Sequence, residues 1–322
     1  MTVSYVHPQH HRVLLHANDC LQDTVSGEVF PVLRGIPRFC AVDNYSSSFG
    51  FQWYQFDKTQ LDVHSGADLS EQRFYAETGW DAVQLSHSSV LEVGSGAGRF
   101  SEVFLRTTSG VLHSVDYSSA VDTNRRNNAT YGDRLQLAQA SIYELPFADN
   151  TFDRVFCLGV LQHTPSFEDS VAALIAKAKV GAQIVVDFYP IKGWYTKIHS
   201  KYILRPLSKR LPKPLLLRLI RLNIRSMLLL FDLLCAVRLG ALTRFIPITD
   251  VRGFPKGLSP TQRREWAVMD TFDAFSPEFD NPQRVDDVAR MFSRRGCDVT
   301  FAGMAHYPGG CSSVVRAIKR AA

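Results

Sequence analysis

Paired cysteines, long apolar runs and, over one stretch, acidic residues are what this sequence lacks. Its six cysteines (Cys20, Cys40, Cys157, Cys235, Cys297 and Cys311) are scattered over 322 residues with no C-x-x-C pair. That spacing fits reduced, mostly buried thiols better than a zinc ribbon or a disulfide framework. A membrane-spanning helix needs ~20 uninterrupted apolar residues; the longest nearly apolar run, Met227 to Val237, is about half that and contains Asp232. The opening residues, MTVSYVHPQHHRVLLHANDC, place no apolar stretch behind a basic start, so neither a secretory signal nor a transit peptide is expected and the expected location is cytoplasmic. His7, His10, His11, His16 and Cys20 match no standard ligand spacing, so no metal is expected.

Acids are nearly missing between Lys192 and Arg244. That segment holds twelve Lys/Arg against Asp232 alone, and the rest of the chain holds 24 basic against 30 acidic residues, so the formal charge of +5 belongs to one segment. With 45% hydrophobic residues, the length suits one catalytic domain with additions.

The densest signal is VLEVGSGAGRFSEVF, residues 90 to 104. Val90, Leu91 and Val93 read as a buried parallel strand, and Phe100, Val103, Phe104 and Leu105 fall at helical spacing. Between them Gly94, Ser95, Gly96, Ala97 and Gly98 form a turn in which the backbone can approach a ligand. Such a strand-to-helix turn lies where open α/β sheets bind ligands. Its spacing departs from the dinucleotide pattern G-x-G-x-x-G, and Glu92 stands two residues ahead of the first glycine. A second strand, Val111 to Asp116, ends in an acid 24 positions after Glu92. A carboxylate there can accept hydrogen bonds from both ribose hydroxyls of a nucleotide-type cofactor. Further strands are expected at Leu135 to Leu137, Arg154 to Gly159 and Ala182 to Phe188, with a helix from Ser170 to Lys179 before the last.

Residues 90–98 resemble motif I of the class I S-adenosylmethionine-dependent methyltransferases, (V/L)-(D/E)-x-G-x-G-x-G. The segment ASIYELPF, 140–147, is similar to the family's D-(I/A)-x-x-L-P-F, with Ser141 in place of the aspartate, and 152–163 resembles F-D-x-V-x-x-x-x-x-L-x-H. The resemblance, to methyltransferases of bacterial glycan and secondary-metabolite type, implies an α/β fold: a doubly wound, seven-stranded, mostly parallel Rossmann-like sheet. It carries a small N-terminal β-module and a helical insertion. The implied cofactor is S-adenosylmethionine, bound by Glu92, Gly94, Ser95, Gly96, Gly98, Asp116, Tyr117, Ser141, Ile142 and Leu158. A serine hydroxyl accepts more weakly than a carboxylate, so the adenine contact at Ser141 is weaker than the family's. The tip of the fourth strand faces the transferable methyl in this fold, which makes His163 either the general base or a structural histidine of the loop.

The expected organisation is a β-module (1–45), a lid (46–84), the cofactor-binding core (85–190), a basic Leu-rich insertion (191–264) and the completion of the sheet (265–322). Trp53, Arg73, Asp270, Asp273 and Tyr307 are candidates for the acceptor, with packing as the alternative for Trp53 and Arg73 and turn or cap chemistry for Asp270 and Asp273. The insertion reads as a cap on the active site or on a second subunit of a homodimer, or as an interfacial helix making peripheral membrane contact through 192–244 at the inner face. The implied reaction is methyl transfer to a small-molecule, saccharide or lipid-linked acceptor, with oxygen as the first guess. An RNA methyltransferase and a catalytically silent cofactor-binding or interaction module are the alternatives. Nucleic acid is not favoured, since the insertion offers leucines instead of exposed stacking residues.

Overall fold

A computed structural model describes residues 3–41, 44–191, 193–254 and 257–321, with Tyr195 and Lys197 described by their backbone only. Lys192, the start of the basic segment, lies outside the described residues. The chain opens with four short antiparallel strands in sequential order, β1 (Leu15–Ala17), β2 (Cys20–Gln22), β3 (Val29–Leu33) and β4 (Ile36–Pro37). Arg38 and Phe39 tie this small sheet to the larger one. The Arg38 guanidinium donates to Gln139 Oε1 (2.9 Å) and Asp122 Oδ1 (2.8 Å), and the Phe39 N–H donates to the Gln139 carbonyl (2.8 Å). Leu21, Phe30 and Phe39 are buried in one core with Leu91 and Val115, so the module and the large sheet exclude water together. His7 is also buried here, with Nδ1 accepting from the Gln9 and His10 backbone.

Four helices connect the two sheets: α1 (Ser47–Gln55), α2 (Asp62–Ser65), α3 (Leu69–Thr78) and α4 (Ala82–Ser86). The large sheet follows as β5 (Val90–Val93), β6 (Leu112–Asp116), β7 (Leu135–Gln139), β8 (Phe152–Cys157), β9 (Ala178–Phe188), β10 (Cys297–Tyr307) and β11 (Gly310–Lys319). Their spatial order is β10-β11-β9-β8-β5-β6-β7. Only β11 runs against the rest, pairing antiparallel with both β9 and β10. This is the doubly wound, seven-stranded, mostly parallel arrangement expected from the sequence. The order reverses at β5, which lies between β6 and β8, so a crevice opens at the carboxyl ends of these strands.

The central strands lack alternation because helices cover both faces. All four residues of β5 are buried. Crossovers are supplied by α5 (Arg99–Thr107), α6 (Val121–Asn127) and α7 (Phe167–Lys177). Strand β9 begins at Ala178, four residues before the apolar run suggests. Ala178 pairs with Phe152 ahead of a register shift, and Gly181, at φ +80°, takes the left-handed turn between that pair and the regular ladder from Gln183.

The insertion contributes α8 (Ser200–Ser208) and α9 (Lys213–Ala236); α10 (Pro260–Phe275) and α11 (Val285–Arg294) lead back to the sheet. In α9, Leu216, Leu217, Ile220, Ile224, Leu228 and Phe231 form one buried stripe at helical spacing. They pack on Trp266, Met269, Phe272 and Phe275 of α10, and Phe272 also meets Phe51 of α1 at 5.7 Å between ring centroids. Helix α8 is held by buried polar groups: Arg205 reaches Asp280 (2.5 Å) and the Pro277 carbonyl (2.7 Å), and Lys201 pairs with Asp280 as well. No helix among the described residues is long and apolar enough to cross a membrane.

Lid and insertion thus share a core centred on Phe272, which is fully buried. Phe272→Ala is expected to lower stability by ~3–5 kcal/mol in denaturant unfolding. A loss below ~1 kcal/mol would mean that this layer is not closely packed.

Candidate functional site

The glycine turn is fixed by bonds to the neighbouring strand. The N–H groups of Gly94 and Ser95 both donate to the Val115 carbonyl (2.7 and 3.2 Å), and the Gly96 N–H donates to Asp116 Oδ2 (2.7 Å). Gly96 sits at φ +53°, and a Cβ there would lie 2.9 Å from the Trp53 indole nitrogen. Gly98, at φ +89°, begins α5, and its Cβ would come within 2.3 Å of Asn124 Oδ1. Only a chain without side chains at these points can turn this tightly under Trp53.

A cavity of about 900 Å³ opens above the turn, at the carboxyl ends of β5, β6, β8 and β9. Thirteen of the sixteen residues singled out from sequence line it: Gly94, Ser95, Gly96, Asp116, Tyr117, Ile142, Leu158, His163, Trp53, Arg73, Asp270, Asp273 and Tyr307. Glu92, Gly98 and Ser141 do not. Glu92 is buried beneath the turn, where its Oε2 accepts from the Ser101 and Ser114 (2.8 Å) hydroxyls, so it braces β5 against α5 and β6. Gly98 shapes the backbone behind the wall. The Ser141 hydroxyl is engaged by the Tyr143 N–H (3.2 Å), capping the short turn Ile142–Glu144, while Ala140 and Ile142 on either side of it do face the cavity.

Asp116 already receives three donors: Gly96 on Oδ2, and the Ser118 N–H (2.8 Å) and hydroxyl (2.7 Å) on Oδ1. A carboxylate offers about four lone-pair sites, so one position on Oδ2 remains toward the cavity. Burial raises the Asp116 carboxyl above its ordinary range, and the three donors oppose that rise. Tyr117 beside it packs on Tyr45, ring centroids 4.9 Å apart. Four buried polar groups of the wall find no hydrogen-bonding atom among the described residues: the Ser95 hydroxyl, the Gln52 side-chain oxygen, the Gln162 amide and the Thr249 hydroxyl. Buried polar atoms of this kind are ordinarily satisfied, so the wall suits a ligand rich in donors and acceptors. Together with the glycine-dense turn, it fits an adenosyl cofactor bearing an amino-acid tail.

His163 is buried in the cavity wall next to Gln162. Its Nδ1–H donates to the Phe279 carbonyl (3.0 Å), which leaves Nε2 as the basic nitrogen of the neutral ring. Phe49 and Tyr189 pack against it, with centroids at 5.0 and 5.6 Å, and burial lowers its pKa below the ordinary 6.5. Beyond it lies an acidic group: Asp273 accepts from Tyr189 OH (3.1 Å) and Gln52 Nε2 (3.3 Å), and burial, then the neighbouring Asp273, push Asp270 up to about 7. The cationic side is Arg73, which bridges Glu77 (2.7 Å) and Asp187 (2.6 Å), and Arg99, both within 5.4 Å of the Phe100 ring centre. Tyr307, the last residue of β10, bonds Ser312 (3.1 Å) and lines the cavity.

Arg99, Asp187, Tyr189, Lys201 and Tyr202 also line the cavity and were not anticipated as site residues. Asp187 and Tyr189 stand at the carboxyl end of β9, where the strand-end rule alone marks candidates. Arg99 directly follows the last glycine of the turn. Lys201 and Tyr202 come from the insertion, whose sequence carries no motif.

Glu92 has a measurable signature. Burial holds its carboxyl at about 7 against an ordinary 4.5, although the Ser101 and Ser114 hydroxyls act the other way. An acid raised in this way keeps its proton longer in the native state. The stability it contributes is present below 4.5 and is lost as pH rises through about 7. The stability of the wild type relative to Glu92→Gln is expected to fall across that window by up to ~3 kcal/mol, read from urea unfolding at each pH. A flat difference would mean that Glu92 is not buried as described.

Residues 91–186 match the family model described as a methyltransferase domain. Demethylmenaquinone methyltransferase of Thermobifida fusca is 29% identical over 153 residues, 44% of this chain and 64% of that protein. The tRNA U34 carboxymethyltransferase of Nautilia profundicola is 27% identical over 113 residues, 34% of this chain and 37% of that one. The chain spans between 27% and 64% of the length of the curated relatives it matches. Among solved structures, magnesium protoporphyrin IX methyltransferase of Synechocystis with bound SAH aligns over 85% of this chain and 96% of that one, at 15% identity and a TM-score of 0.46. With the strand order, the glycine turn and Asp116 in place, the match identifies residues 91–186 as a methyltransferase domain of the class I, S-adenosylmethionine-dependent kind.

Proposed function

We propose that this protein transfers a methyl group from S-adenosylmethionine to an oxygen of a small-molecule, saccharide or lipid-linked acceptor, and that His163 takes the proton the acceptor loses. The observation that carries the reading is the cavity shared by the glycine turn, Asp116 and an imidazole whose Nε2 is kept free to accept. A cytoplasmic location belongs to the same proposal.

On this reading Asp116 Oδ2 receives a ribose hydroxyl beside the Gly96 N–H, and Tyr117, Ile142 and Leu158 flank the adenine. Ser95, Gln52 and Gln162 satisfy polar atoms of the cofactor that the protein otherwise leaves unmatched. When bound, the cofactor supplies an electrophilic methyl on a sulfonium, so the protein's task is alignment. Asp270, Asp273, Tyr189 and Tyr307 orient acceptor hydroxyls opposite His163. With the acceptor oxygen aligned on that methyl, whose bond to sulfur would break with S-adenosylhomocysteine as the leaving group, His163 Nε2 would take the acceptor's proton. The buried ring is neutral at pH 7, its pKa lying below the ordinary 6.5, and can accept it. The roof made by α10 and the insertion limits cofactor and acceptor together to what fits about 900 Å³, which supports a small molecule, or the end of a larger one, over a folded RNA.

Titration calorimetry with S-adenosylmethionine tests the cofactor half. Asp116→Ala is expected to weaken binding by ~10- to 100-fold, the scale of a hydrogen bond to a charged group. If the wild type fails to bind at millimolar cofactor, the methyltransferase reading is wrong, and the silent-module reading gains only if a partner is then found. For the base, a labelled-cofactor screen across glycan, quinone, small-amine and RNA acceptors comes first. His163→Ala should then lower kcat by ~10² to 10⁴-fold with little change in cofactor affinity. The wild-type rate should rise as His163 loses its proton and level off by neutral pH. Activity of the variant within a few-fold of wild type at every pH would assign His163 a packing role.

A further inference from the structure

We propose that the outer face of the insertion docks on an anionic lipid bilayer and that an acceptor with an apolar tail enters the cavity from that surface. The docking stands on the insertion's surface alone, and the route of the acceptor rests on the methyl-transfer reading.

Helix α9 buries one stripe on α10 and turns a second apolar stripe outward. At ~100° per residue, Leu215, Leu219, Leu222, Leu229, Leu230 and Leu233 fall on the side away from the buried leucines. Leu222, Leu229 and Leu233 are 69%, 72% and 58% exposed. A solvated helix face ordinarily carries charged and polar residues. The apolar character continues in Ile203 and Leu207 of α8 and in Leu239, Leu242 and Phe245 just beyond α9, all exposed.

Charge selects the occupant. Arg218, Arg221 and Arg225 run along one flank of the leucine row, and Arg210 and Arg238 stand near its ends, all five exposed. The segment's one acid, Asp232, is paired by both guanidinium nitrogens of Arg263 (2.7 and 2.8 Å). A leucine face edged by arginines is the composition of a helix lying in the interface of an anionic membrane. A second copy of the chain fits less well. A two-fold contact brings the same patch together, and neither copy's patch offers an unpaired acid to meet the five arginines.

The surface also meets the cavity. Residues 240–245 form one short 3₁₀ helix in which Gly240, Ala241, Thr243 and Arg244 line the cavity while Leu242 and Phe245 are exposed on the apolar side. One short helix therefore separates the leucine row from the site, and an amphiphile can keep its tail on the surface while its polar end reaches His163.

Flotation with vesicles tests this. The wild type is expected to float at low salt with vesicles containing phosphatidylglycerol, and at least ~10-fold less with phosphatidylcholine alone or at raised salt. The combined change of Leu222→Gln, Leu229→Gln and Leu233→Gln, and separately of Arg218→Glu, Arg225→Glu and Arg238→Glu, should each lower association by ~10-fold or more. These side chains are exposed and outside the cavity wall, so S-adenosylmethionine affinity measured on the same samples should match wild type. That readout also separates the two proposals, since a chain that floats but binds no cofactor overturns methyl transfer and leaves the docking standing. No flotation of the wild type with anionic vesicles at low salt overturns the docking, as does a leucine variant that floats like wild type. Light scattering that shows a dimer dispersed by the leucine changes, without flotation, would give this face to a second copy.

Discussion

Three backbone N–H groups organise this molecule. Those of Gly94 and Ser95 end on the carbonyl of Val115, and that of Gly96 ends on the carboxylate of Asp116. These bonds fasten the turn after β5 to the last residues of β6, so the floor of the cavity is set by the two strands at the point where the sheet reverses its order. The residues beneath and above follow from this. Glu92 has to be buried because the turn folds over it, and its carboxyl is tolerable there only because Ser101 and Ser114 meet it. Trp53 can close on the turn because Gly96 has no side chain.

The roof obeys a different constraint. Helix α10 has work on two sides: Trp266 and Phe272 build the core under α9, while Asp270 and Asp273 face the cavity. Burial first, and then the neighbouring Asp273, push the Asp270 carboxyl up to about 7. Arg73 and Arg99 stand across the same cavity and temper that rise. On the cationic side Arg73 is itself matched by Glu77 and Asp187, so much of the charge facing the cavity is paired within the protein.

Much of this was legible in the sequence, and the boundary of legibility is physical. The strands were readable because β5, β6, β8 and β9 are covered on both faces and so appear as apolar runs. The turn was readable because its glycines are demanded by geometry that few ligand sites share. Asp116 could be placed from its distance along the chain, since it must end the next strand. Glu92 and Ser141 could not be placed relative to the cavity, because the side a strand residue takes and the partner a turn hydroxyl finds are settled only by the folded neighbourhood: Ser114 on the adjacent strand in one case, the Tyr143 N–H of the local turn in the other. The site residues of the insertion, Lys201 and Tyr202, were invisible for a plainer reason. They reach the cavity through packing of α8 on Asp280 and α10, and no local pattern encodes that.

The pairing of β9 with β11 has a temporal side. Phe188 lies opposite Ser313, so a ribosome releases the whole roof, from α8 to α10, before the strand that covers this flank of β9 exists. During synthesis the floor of the cavity is complete while β9 still presents an unpaired edge. Sequence-distant closure of this kind is slow and leaves a sticky intermediate. Until β11 arrives, a nascent chain depends on helices α8 to α10, or on a chaperone, to shelter that edge.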